Sequence, residues 1–190
     1  MTGGNSRVFL IALGANQPSD AGSPRATLIA ALEALERNGI RLIRSSRMYR
    51  TPCFPAGAGP DYVNAAAVAE GPADPGAMLA TLHRIEAEFG RARVSRWASR
   101  SLDLDLIAAG DMVLPDAQQQ DRWRALPAQR QSVEAPDTLI LPHPRMQDRA
   151  FVLVPLAEVA PDWVHPRTGQ SVAQMLKVSP PEDVAQVVPC

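Results

Sequence analysis

Residues 100–107, RSLDLDLI, alternate leucine and aspartate without a break, and a period of two fits a β-strand with one apolar and one polar face. Leu102, Leu104 and Leu106 share the first face, and Asp103 and Asp105 share the second. At a rise of about 3.3 Å per residue the two acids stand roughly 6.5 Å apart at their Cα atoms. Two unpartnered carboxylates that close resist ionising together, so a positive group belongs between them. The alternative is a half-buried strand whose polar face looks at water.

Upstream lies GRARVSRWASR, which sets Arg91, Arg93, Arg96 and Arg100 around Trp97. A charge run of this kind can be a solvated basic face. The formal net charge of the chain is only −1, however, so the arginine knot is local and sits directly against the paired acids. Carboxylates hold divalent cations such as Mg²⁺, and guanidinium groups fork onto phosphate oxygens. Together they make the donor set of metal-assisted phosphoryl transfer.

The order of elements narrows the fold. Residues 8–13 read as a first strand. SPRATLIAALEALERNG reads as a helix with Ser23 as N-cap, Pro24 in its first turn, a stripe of Leu28, Leu32 and Leu35, and Asn38-Gly39 as its stop. Strands are expected over 40–49 and 64–70, joined by the proline- and glycine-rich RTPCFPAGAGPDY. A second helix follows with Asp74 and Pro75 at its start and Gly90 at its end; Met78, Leu82, Ile85 and Phe89 line its buried stripe beside Glu86. Strand, helix, strand, strand, helix and the Asp103/Asp105 strand make the ferredoxin-like α/β (α+β) arrangement, an antiparallel sheet with two helices packed on one face, in one domain over 1–190. Beyond it, short strands are expected at 112–114 and 139–141 and a helix from near Ser171. The polar stretch 115–137 has no steady period and is expected to lack order, as is a loose tail from Ser179.

Composition excludes several classes. Nearly half of the 190 residues are apolar, which argues against disorder, and a pI near 6.3 argues against a general nucleic-acid binder. Cys53 and Cys190 make no disulfide framework, so the reducing cytoplasm is the expected compartment. RVFLIALGA reads as a buried strand ending in a Gly-Ala-Asn turn rather than as a signal peptide, and no run approaches the roughly 18 apolar residues of a membrane span. His83 and His165 lack Cys or His partners at metal-ligand spacing.

Six separated blocks, RTPCF…PDYVNAA, RIEAEFGRAR, RWASRSLDLDLI, LPHPRMQDRAFVLVPLAEVAP and VHPRTGQSV among them, resemble the 6-hydroxymethyl-7,8-dihydropterin pyrophosphokinases of folate biosynthesis over about 8–176. The resemblance implies a ferredoxin-like monomer that moves the pyrophosphoryl group of ATP onto the hydroxymethyl oxygen of the pterin and releases AMP, with no nucleic-acid or membrane partner. It implies that Asp103 and Asp105 hold two Mg²⁺ ions, and that Arg91 and Arg93 close over the phosphates. Glu86, Trp97, Arg100, His143 and Arg149 are implied on the ATP side, and His83 falls near it. For the pterin it implies Tyr62 and Phe151 against the ring faces, Thr51 and Asn64 on the polar edge, and the backbone near Phe54. Arg96 receives no role. Ala98 and Ser99 replace the family's usual glycine and proline, and 115–137 is longer than in the shorter members. Two rivals share the topology: another Mg-dependent nucleotidyltransferase without the pterin loop, and a non-enzymatic RNA-binding module, which the low aromatic content disfavours.

Overall fold

The computed structural model describes residues 6–53, 59–90, 101–127, 130 and 133–190. Its spine is a pair of long antiparallel strands, β1 (Ser6–Ala15) and β4 (Tyr62–Pro72), in register from Ser6↔Pro72 to Ala15↔Val63. Between them in the chain come α1 (Pro24–Arg37), β2 (Arg41–Ser45) and β3 (Tyr49–Thr51). Ser23 caps α1 by accepting from the Ala26 N–H, as its position before proline foretells. After β4 follow α2 (Pro75–Glu88), capped by Asp74, and β5 (Asp103–Ala109). Gly90, at φ 81°, takes the left-handed turn that stops α2. The sheet runs β5-β1-β4-β3, with β2 also on β4, and every pairing is antiparallel, the expected ferredoxin-like order.

The strand expected over 40–49 is two strands. β2 pairs with residues 67–70 of β4 and β3 with 62–64. Between them Ser46 turns its own side chain to Ala66, its Oγ taking the Ala66 N–H at 2.9 Å, and the ladder breaks there.

Helices cover both faces, not one. Leu28 and Leu35 of α1 and Met78, Leu82 and Ile85 of α2 pack on Phe9, Ile11, Leu13, Leu104 and Leu106. The opposite face, carrying Leu10, Ala66, Val68, Ile107 and Ala108, is closed by α4 (Ala150–Val159) and α5 (Val172–Val178). The sequence AFVLVPLAEV of α4 is apolar almost all round and holds Pro155, so it shows no amphipathic period; a helix buried on most sides needs none. Ser171 caps α5 in a reciprocal capping box with Gln174.

Three local expectations change. The 115–137 stretch contains α3 (Ala117–Arg124), with Asp116 as N-cap. The strands expected at 112–114 and 139–141 reduce to one reciprocal bridge between Leu114 and Leu141. The tail is ordered: α6 (Pro181–Ala185) leads into β6 (Val188–Pro189), which pairs with β3, and Val187 is buried with Tyr49 and Ala150.

Candidate active site

Alternation along β5 puts Leu102, Leu104 and Leu106 in the core under α1 and α2 and turns Asp103 and Asp105 to the other face, opposite Gly14 and Ala12 of β1. The face changes character one step further on. A register shift against β1 carries β5 from Leu106, opposite Ile11, to Ala108, opposite Leu10. Ile107 and Ala108 therefore enter the core under α4, and a bulge ends the polar half of the strand. Both acids are half-buried. Arg149, at the N-terminus of α4, reaches Asp105 Oδ2 only at 3.7 Å.

β5 is the edge strand, and its outward backbone groups are taken by two predicted residues. Glu86, 1% exposed on α2, accepts the Leu104 N–H at 2.9 Å. The His143 N–H donates to the Ile107 carbonyl at 2.8 Å and pins the 141–145 segment along the edge. Burial, then the charges of Arg149 and Arg145, push the His143 pKa down to about 3, so the ring is neutral at pH 7. Its Nδ1 accepts the Arg145 N–H at 3.2 Å, which leaves the proton on Nε2.

Across β1 lies a second polar group. Asn64 stands opposite Gly14, and its Nδ2 donates to Thr51 Oγ1 at 2.8 Å in a buried pair. A Cβ on Gly14 would lie 3.2 Å from Asn64 Oδ1, so glycine keeps the floor between amide and acids clear. Two strand spacings of about 4.8 Å separate the acid and amide rows. Tyr62 is half-buried, and Phe151 is 40% exposed with the Arg149 guanidinium 5.6 Å from its ring centre. Neither is a simple core anchor.

All these groups line one cleft of about 1150 Å³, larger than a single small-molecule pocket and roomy enough for two ligands. It brings together Thr51, Tyr62, Asn64, Glu86, Asp103, Asp105, His143, Arg149 and Phe151, and His83 joins them. Phe54, Arg91, Arg93, Trp97 and Arg100 lie outside the described residues. Sequence reasoning missed Trp123 and Arg145, and the tail residues Asp183 and Gln186, which also line it. Trp123 had a signal: Pro115-Asp116 followed by AQQQDRWR reads as an N-cap before helix formers. His165, fully buried in a turn, accepts the Arg167 and Thr168 N–H groups at Nδ1 and has no place in the cleft.

Oxygen donors set against fixed cations suit a phosphate-bearing ligand and place the chain among phosphoryl-group transferases built on a ferredoxin-like sheet. The family model described as 7,8-dihydro-6-hydroxymethylpterin-pyrophosphokinase (HPPK) matches residues 10–161. The chain belongs to that family. It is 41% identical over 139 residues to the 2-amino-4-hydroxy-6-hydroxymethyldihydropteridine pyrophosphokinase of Synechocystis, covering 73% of this chain and 60% of that protein. It is 35% identical to the pyrophosphokinase of the same name from Haemophilus influenzae (88% of this chain, 89% of that one) and 36% identical to that of Pseudomonas aeruginosa (95% and 96%). Among solved structures, the Plasmodium falciparum HPPK-DHPS shares the fold at a TM-score of 0.64 and 12% identity, over 93% of this chain and 45% of that one.

Proposed function

We propose that this cleft transfers the pyrophosphoryl group of ATP to the hydroxymethyl oxygen of 6-hydroxymethyl-7,8-dihydropterin, as the relatives' names describe. The observation that carries the reading is the place of Asp103 and Asp105: in one cleft, between the buried Asn64–Thr51 pair and the β5 edge where His143 and Arg149 gather.

The acids fit Mg²⁺. They offer only oxygen donors, half-exposed on the cleft face, with Asp105 held by Arg149 no closer than 3.7 Å. Mg²⁺ commonly binds through one or two carboxylates, keeping several waters and taking substrate phosphates, so the remaining ligand positions are assigned to water and phosphate. When bound there, the ion or pair of ions supplies charge neutralisation at the triphosphate.

The chain's own residues do the rest. Thr51 and Asn64 bond the pterin's polar edge, with Tyr62 and Phe151 against its faces and the backbone near Phe54 beside them. His143, neutral with its proton on Nε2, donates to a phosphate oxygen without adding charge, and Arg149 supplies the cation. Glu86 holds the β5 edge and the nucleotide side. Arg91, Arg93 and Arg100 take further phosphate contacts and Trp97 covers the nucleotide. The hydroxymethyl oxygen attacks the β-phosphorus and gives up its proton to solvent, an O–P bond forms, the bond from that phosphorus to the oxygen bridging the α-phosphate breaks, and AMP leaves with the electron pair of that bond. Positioning and electrostatics dominate such a step.

Incubation with Mg²⁺, ATP and the pterin should release AMP in step with pterin diphosphate. Stoichiometric ADP would overturn the assignment.

A further inference from the structure

The aromatic side chains Tyr62, Trp123 and Phe151 line the cleft among the described residues, and different elements carry them. Tyr62 and Phe151 accompany the Asn64–Thr51 pair. Trp123 stands apart, on α3, in the stretch for which neither composition nor resemblance supplies a role. The helix is fastened firmly. Asp121 accepts a fork from Arg167, at 2.6 Å from Nη2 and 3.2 Å from Nε, and a third bond from Arg124 at 3.0 Å. Fully buried Gln120 donates to the Pro142 carbonyl at 3.2 Å, one residue before His143. Trp123 is thus held at the β5-edge end, where Leu79 and His83 of α2 also reach the cleft.

Two tryptophans make the contrast. Trp163 donates its indole N–H to the Gly110 carbonyl at 2.9 Å and packs beside α5. Trp123 is half-buried, and among the described residues no comparable bond anchors its indole N–H. A large flat side chain on a pinned helix, lining a cleft, suits a flat ligand.

We infer that Trp123 forms a stacking platform for the purine base of the nucleotide, making α3 the base-recognition wall. This rests on the ATP reading above. Of the two substrates, only ATP carries both a polyphosphate, which belongs with Asp103, Asp105, His143 and Arg149, and an aromatic base that must lie beyond it, away from the pterin end.

The test is calorimetric titration with Mg²⁺ and α,β-methylene-ATP, whose α–β bridge does not break, and separately with inorganic tripolyphosphate, which has no base. Base stacking is worth enough that Trp123→Ala and the apolar but non-aromatic Trp123→Leu should each weaken the analogue about tenfold. Tripolyphosphate affinity should stay within about twofold, and Trp123→Phe should restore most of the analogue's binding. Unchanged analogue affinity in Trp123→Leu, or equal losses for analogue and tripolyphosphate, overturns the inference. ADP rather than AMP as the wild-type product defeats the reaction reading instead, and the binding comparison distinguishes the two failures.

Discussion

The amide row and the acid row of the cleft are both polar groups on one sheet face, with β1 between them, and they are built on opposite plans. Asn64 and Thr51 satisfy each other at 2.8 Å and are 5% and 8% exposed. Asp105 is held loosely, with the Arg149 guanidinium 3.7 Å away and its own side chain 36% exposed. The amide pair is finished before any ligand arrives, which fixes its donors and acceptors and favours selectivity. On the proposed reading, Asp105, so loosely engaged, has charge to offer a cation that comes with substrate. Damage should therefore read out differently: as stability and pterin affinity at the first row, as turnover at the second.

The largest effect belongs to the acids. Asp103→Asn should cut AMP release about a hundredfold or more at saturating substrates, since an amide replaces neither charge nor ligand strength. Steady-state kinetics check it, and a rise in pterin KM at unchanged turnover would erase the distinction between rows. Arg149→Ala comes next. Losing a charge-assisted phosphate contact of about 1.5–3 kcal/mol should cost roughly ten- to a hundredfold in kcat/KM for ATP, with little change in melting, because an ion pair this long and exposed contributes about 0–1 kcal/mol.

At the other row, Asn64→Ala strands the Thr51 hydroxyl, so it should destabilise the fold by about 1–3 kcal/mol and raise the pterin KM about tenfold or more, with nucleotide affinity unmoved. Denaturant melts and calorimetry with each substrate check it. Loss of ATP binding without loss of stability would reverse the comparison.

The smallest effect lies outside the cleft and calibrates it. Burial, then the charge of Arg124, lowers the His165 pKa to about 4. The unfolded chain takes up that proton near pH 6.5. Between the two values the unfolded state binds more protons, so stability falls as pH falls through this window. From pH 7 to 5 this term is on the order of 1–2 kcal/mol. His143 contributes a slope of the same sign. His165→Asn should flatten the melting-versus-pH curve by about half while AMP release at pH 7.5 stays unchanged.

What could be read beforehand follows the same division. Asp103 and Asp105 were legible because alternation on a strand is a local signal, and the helix caps Ser23 and Asp74 for the same reason. The Asn64–Thr51 pair depends on β3 pairing with β4, and only the family resemblance pointed to its residues. Buried on most sides, α4 loses the amphipathic period that would announce it. The tail looked loose because VSPPEDVAQ offers no pattern, yet β6 finds β3 and Val187 finds Tyr49. Trp123 sat in a stretch judged irregular, where Asp116 was the overlooked N-cap.

The central claim is that the acid row is a cation site rather than scaffold, and melting the metal-free wild type beside Asp105→Asn, with AMP release measured on the same samples, tests it most directly. The variant should lose turnover about a hundredfold while its melting temperature stays within about 2–4 °C of wild type, or rises as like-charge strain is relieved. A loss of about 3–5 kcal/mol in stability, as when a buried ion pair is broken, with turnover retained would show instead that Asp105 is structural.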